Sequence, residues 1–115
     1  EGTPGEMWKS LSTLAGLPAE TRVYCGHEYT LANLRFALAV EPDNASLIER
    51  LRSEQAKRDR GEPTLPTTIG LELATNPVLR ASLPAVKVSA ARHAGSSVSD
   101  DVASFAALRE WKNRF

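Results

Sequence analysis

A chain of 115 residues with 42% hydrophobic content carries enough apolar material for one modest core, so a globular fold is the starting expectation. The 14 Lys and Arg are matched by 14 Asp and Glu, which leaves no positive field to draw the protein onto phosphate backbones or anionic lipid and sets nucleic acid and membrane surfaces aside as partners. A single cysteine closes no internal disulfide, and the longest apolar run, Phe36 to Val40, is far too short to cross a bilayer; a reduced, soluble, cytoplasmic setting is expected.

In chain order, Glu1-Gly2-Thr3-Pro4 runs straight into a helix-start signal with no initiator methionine and no secretory pattern, so the chain reads as cut from something longer. Thr3 supplies an N-cap, Pro4 the favoured first-turn proline and Glu6 the acid of a capping box, after which Met7, Leu11 and Leu14 recur at helical spacing. This helix should end near Gly16. Thr21 to Cys25 is a β-prone run closed by Gly26; no later segment offers a convincing set of partner strands, so the rest of its sheet is expected before Glu1.

From Thr30 the pattern turns helical, with Leu31, Leu34 and Leu38 on one face and Pro42 as the break. Asp43 or Asn44 then caps a third helix, whose Leu47, Ile48 and Leu51 give way to Glu54, Lys57, Arg58, Asp59 and Arg60, most simply a solvated end. Two prolines hold Thr64-Leu65-Pro66-Thr67 extended, Thr67 or Thr68 caps a short helix through Leu71 and Leu73, and Asn76-Pro77 marks a turn. A further short helix is expected around Val78 to Ala81. The stretch from Pro84 to Ser99, rich in Ala, Ser and Gly, reads as a surface loop. Ser99 or Asp100 starts the last helix, along which Val102, Phe105, Leu108, Trp111 and Phe115 fall at three- and four-residue spacings. The fold class is therefore mainly α, one short strand followed by packed helices.

Few residues here carry chemistry. His27 follows the strand and its glycine, a place where α/β enzymes put ligands, but one imidazole supplies one bond of the several a catalytic metal needs. His93 reads as an exposed loop residue, and Cys25, inside an apolar strand without a suitably placed base, as buried packing. Tyr29 either presents a phenol to a ligand or packs at a helix base. On the last helix, Arg109 and Lys112 lie roughly 60° apart and flank the row of Phe105. They either hold a carboxylate at the seam with a neighbouring helix or lay their aliphatic stems over apolar surface.

Taken together, Tyr24-Cys25-Gly26-His27-Glu28-Tyr29-Thr30, Glu41-Pro42-Asp43-Asn44, Asn76-Pro77 and Arg109-x-x-Lys112 resemble glyoxalase II, also called hydroxyacylglutathione hydrolase, across nearly the whole chain. The resemblance implies that residues 1–29 are the end of a metallo-β-lactamase αββα catalytic domain, contributing its last strand, and that residues 30–115 form a helical glutathione-binding domain. It further implies His27 as a ligand in a centre of two divalent metal ions, zinc by expectation with iron or manganese as alternatives. Tyr29, Arg109 and Lys112 would bind a glutathione thioester, the two cations facing its glycine carboxylate, in a monomeric enzyme. The implied reaction is hydrolysis of S-D-lactoylglutathione to glutathione and D-lactate, a step of methylglyoxal detoxification, by a hydroxide formed on the metal pair. The family's His-x-His-x-Asp-His segment and bridging aspartate are absent from this sequence, so the stretch alone is expected to be inactive. The alternatives are a non-catalytic module that binds glutathione conjugates or a partner protein, and another member of the same superfamily such as a persulfide dioxygenase.

Overall fold

The computed structural model describes residues 3–23 and 30–115. Their elements are α1 (Pro4–Ala15), β1 (Arg22–Val23), α2 (Thr30–Val40), α3 (Ala45–Asp59), β2 (Thr67–Thr68), α4 (Ile69–Thr75), α5 (Pro84–Ala94) and α6 (Asp101–Arg114). The mainly α class expected from the sequence is what is found, and none of the described helices is long and apolar enough to cross a membrane.

Local chemistry explains where most of these helices begin. Thr3 and Glu6 form the reciprocal capping box of α1, the Glu6 amide donating to Thr3 Oγ1 at 3.2 Å and the Thr3 amide to Glu6 Oε1 at 3.3 Å. Asn44, Thr68 and Asp100 cap α3, α4 and α6, their side-chain oxygens accepting from the amides of Leu47, Leu71 and Ala103. Those caps satisfy donors that a helix start otherwise leaves without partners.

Three expectations are corrected. The supposed loop from Pro84 to Ser99 contains α5, with Pro84 in its first turn and Gly95 closing it at φ 72°, in the left-handed region that glycine occupies without penalty. Its core face is only Val86 and Ala90, four residues apart, which left no amphipathic contrast to read. Residues 77–82 form turns instead of a short helix. Finally, the strand does find a partner within the chain: β1 pairs antiparallel with β2 in the register Arg22 to Thr68 and Val23 to Thr67. Beyond that ladder the Ile69 amide donates to the Thr21 carbonyl at 3.0 Å and the Gly70 amide to Ala19 at 2.8 Å. Gly70 permits this approach, since a Cβ there would stand 3.1 Å from the Ala19 methyl.

The main core joins Phe36 and Val40 of α2, Ala81 of the turn before α5, Val86 and Ala90 of α5, and Phe105 and Leu108 of α6. Met7, Trp8 and Leu11 bring α1 against it, although α1 buries none of its residues fully. Phe36 meets the edges of Trp111 and Phe115 at centroid distances of 5.6 and 5.5 Å, fixing the end of α6 over α2. A smaller cluster of Leu34, Ala37 and Leu47 locks α2 to α3.

Ser104, on the buried face of α6, is fully enclosed and its hydroxyl has no hydrogen-bond partner among the described residues. An unmade bond of this kind leaves the desolvation cost uncompensated. Ser104→Ala is expected to raise stability by about 1 kcal/mol, measured as an increase in the urea unfolding midpoint.

Candidate functional site

The third helix was expected to end in a solvated, charge-rich face; Arg58, Asp59 and Arg60 are exposed as expected and Lys57 is half-buried, but Glu54 is enclosed together with Arg50 one turn before it. Arg50 and Glu54 are buried, 7% and 3% exposed. Arg50 Nη1 donates to Glu72 Oε2 at 2.6 Å and to the Thr75 hydroxyl at 2.8 Å, while Nη2 donates to the Thr67 hydroxyl at 3.3 Å and lies 4.0 Å from Glu54. Thr67 passes its own proton to Glu72 Oε2 and Thr75 passes its to the Leu71 carbonyl, so each hydroxyl both accepts and donates. Lys57 closes the charge balance by reaching Glu54 at 2.9 Å. One guanidinium thereby ties α3 to β2 and α4, at the cost of an Nε–H that finds no acceptor among the described residues.

Two short motifs meet beside this cluster. Arg80 forms a two-pronged pair with Glu41, Nε to Oε1 at 2.6 Å and Nη2 to Oε2 at 3.0 Å, and also donates to the Leu73 carbonyl. Asn44 caps α3 with its oxygen and donates from its nitrogen to the Ala74 carbonyl at 2.9 Å. Asn76 uses its side chain in the same double way, donating to Glu72 Oε1 and accepting from the Val78 amide. Glu41 to Asn44 and Asn76-Pro77 are therefore the joints that hold the α2–α3 turn against the end of α4.

One of these joints, Asn76-Pro77, lies on a cleft of about 260 Å³, with Arg50, Thr67, Glu72 and Thr75 among its polar lining, Leu34, Phe36 and Val78 among its apolar walls, and Asn33 and Lys112 also on its lining. Lys112 and Asn33 are exposed side chains. Lys112 has no carboxylate partner among the described residues, whereas Glu110 and Arg114 on the same helix pair with each other at 2.8 Å. Arg109 is half-buried, also without an acid partner among the described residues, and it is not among the residues lining the cleft. The structure thus puts one of the two sequence-nominated cations at the cleft and the other on the same helix one turn before it.

His27 and Tyr29, with the whole segment from Tyr24, lie outside the described residues, as does Cys25. His93, expected in a loop, sits in the last turn of α5, where its exposed ring stacks on Trp111 at a centroid distance of 4.1 Å and 7° between planes. Among the described residues there is no group of three or more His, Cys, Asp or Glu that could hold a metal ion. The donors among the described residues do not by themselves fit a two-metal centre. Away from the cleft, Arg60 holds the exposed Glu62 carboxyl below its ordinary pKa, through a hydrogen bond first and through charge second, and Glu62 raises Arg60 in the same way. A lowered carboxylate pKa stabilises the fold at neutral pH, and the benefit fades as pH falls through that value; solvent screening keeps it small.

A family model described as hydroxyacylglutathione hydrolase C-terminus matches residues 28–115. Curated relatives named hydroxyacylglutathione hydrolase match across the chain: one from Alkalilimnicola ehrlichii is 60% identical over 114 residues, covering 99% of this chain and 44% of its own length. One from Nitrosomonas europaea is 51% identical over the whole chain and 44% of its own length, and one from Pseudomonas aeruginosa is 56% identical over the whole chain and 45% of its own. The chain therefore spans less than half the length of these relatives.

The buried cluster supplies a direct test of how the cleft is built. Arg50→Met leaves the half-buried Glu72 without its cation and is expected to cost about 3 kcal/mol, read from urea unfolding, with part of that loss recovered when Glu72→Gln is added.

Proposed function

The chain belongs to the hydroxyacylglutathione hydrolase C-terminus family, and from that membership we propose that it is the glutathione-recognising part of an enzyme that hydrolyses S-(2-hydroxyacyl)glutathione, S-D-lactoylglutathione above all, to glutathione and a 2-hydroxy acid. The observation that carries the reading is Lys112, an exposed cation with no acid partner among the described residues, on the lining of a cleft whose other charges are already balanced. A carboxylate arriving there meets an uncompensated ammonium. Arg109, one turn earlier on α6, extends the same cationic stripe.

In this proposal residues 1–29 close a catalytic domain and residues 30–115 bind the tripeptide, with Tyr29 adding a phenol to the same ligand. The complete enzyme would carry two divalent metal ions, zinc, iron or manganese, with His27 as one ligand and the others supplied from outside this sequence; such a pair provides hydroxide at neutral pH. A thioester gives a thiolate leaving group, so the residues of this chain need not protonate it, and their task is to bind and orient the tripeptide. The full protein is proposed to work as a monomer in the cytoplasm, detoxifying methylglyoxal-derived thioesters.

The test is steady-state hydrolysis by the full-length, metal-loaded protein, followed as loss of thioester absorbance. Lys112→Ala and Arg109→Ala are each expected to raise KM with kcat little changed, by roughly 1.5–3 kcal/mol for a lost charge-assisted hydrogen bond. The 115 residues alone should leave the thioester intact. Full-length protein that holds its metals and leaves the thioester uncleaved would sink the proposal.

A further inference from the structure

A second groove, of about 670 Å³, lies between the α2–α3 turn and α5, with Trp111 of α6 on its wall; it shares no lining residue with the first cleft. Part of its polar surface is already spoken for. Glu41 and Arg80 neutralise each other, and Asn44 has both ends of its carboxamide bonded. Three polar side chains on the lining are left over: Asp43, Ser89 and Arg92 make no hydrogen bond or ion pair among the described residues. Asp43 and Arg92 are exposed, and between the two walls that carry them stands Val88, 56% exposed.

The free groups of α5 are arranged on one face. Ser89, Arg92 and His93 stand three and four residues apart, so a hydroxyl, a guanidinium and an imidazole project to the same side of the helix. The His93 ring lies flat on Trp111, 4.1 Å between centroids and 7° between planes, and it is exposed, so its outer face is open to the groove. A flat π face in an apolar setting receives another flat ring by stacking, and heteroaromatic bases do this irrespective of their substituents. A cation in a last helical turn suits the helix dipole, which explains why Arg92 is basic; it does not supply the guanidinium with an acceptor. On the opposite wall, the free Asp43 carboxylate repels a bare anion and accepts from hydroxyl donors.

We propose that this groove is a second ligand site, for a planar ring joined through a hydroxyl-bearing spacer to an anionic group, and that its occupant is a purine nucleoside monophosphate. The base stacks on the open face of His93, the phosphate takes Arg92 and Ser89, and the ribose hydroxyls donate to Asp43. The neutral net charge that sets polynucleotides aside does not bear on a single nucleotide, whose recognition needs one local cation and a stacking face. The site is independent of the reading of Lys112.

The experiment is calorimetric titration of the full-length protein with adenosine monophosphate. Saturable binding with Kd below about 1 mM is expected. Arg92→Ala and His93→Ala should each weaken it about tenfold, whereas His93→Phe, which keeps a stacking ring, should retain it. Ribose phosphate, which has no base, and adenosine, which has no anion, should both bind at least about tenfold more weakly than the nucleotide. Lys112→Ala should leave the nucleotide affinity unchanged. The inference is overturned by an absence of saturable heat at millimolar nucleotide, by ribose phosphate binding as tightly as the nucleotide, or by affinity that ignores Arg92 and His93 and falls with Lys112→Ala. Since hydrolysis of the thioester is not read in this experiment, its failure leaves the proposed activity standing.

Discussion

The arrangement of this domain depends on one buried guanidinium. Arg50 sits on the inner face of α3 and reaches Glu72 and Thr75 of α4 and Thr67 of β2, so that one side chain fixes three elements relative to one another. Burying a charge is expensive, and the cost is met only because two carboxylates and two hydroxyls converge on it with most of their own hydrogen-bonding capacity filled. The Arg80–Glu41 pair and the two doubly bonded asparagines, Asn44 and Asn76, repeat the logic at the margin of the cluster. Together they form a polar platform beside an otherwise apolar helical core.

That platform gives the cleft its character. A floor whose charges cancel internally is electrostatically quiet, and Lys112 of α6 stands on the same lining without a carboxylate partner among the described residues. The aromatic cluster of Phe36, Trp111 and Phe115 holds the end of α6 in place over α2 and therefore sets where Lys112 can stand.

Much of the fold was legible in the sequence because helix ends are written in local chemistry. Thr3 with Glu6 announced a start that the structure keeps, and where the sequence offered two neighbouring caps the structure uses Asn44, Thr68 and Asp100. α5 was missed because a helix with only Val86 and Ala90 buried has almost no periodic signal, although Pro84 before it and Gly95 after it were usable punctuation. β2 was missed because two threonines make a strand only when β1 is there to pair with them. The buried role of Arg50 and Glu54 was illegible for a similar reason: a charged helix end looks solvated until residues 17 to 25 positions away are brought onto it. Of the site, Lys112 could be nominated from its place beside an apolar seam, and the structure puts it at the cleft.

The most direct measurement is a crystal structure of the full-length protein with a non-hydrolysable S-alkylglutathione bound. The account predicts the tripeptide along the cleft between α2 and α6, its glycine carboxylate within hydrogen-bonding distance of Lys112 Nζ and the Arg50 cluster unchanged beneath it. A ligand bound elsewhere, with Lys112 touching only solvent, would contradict it.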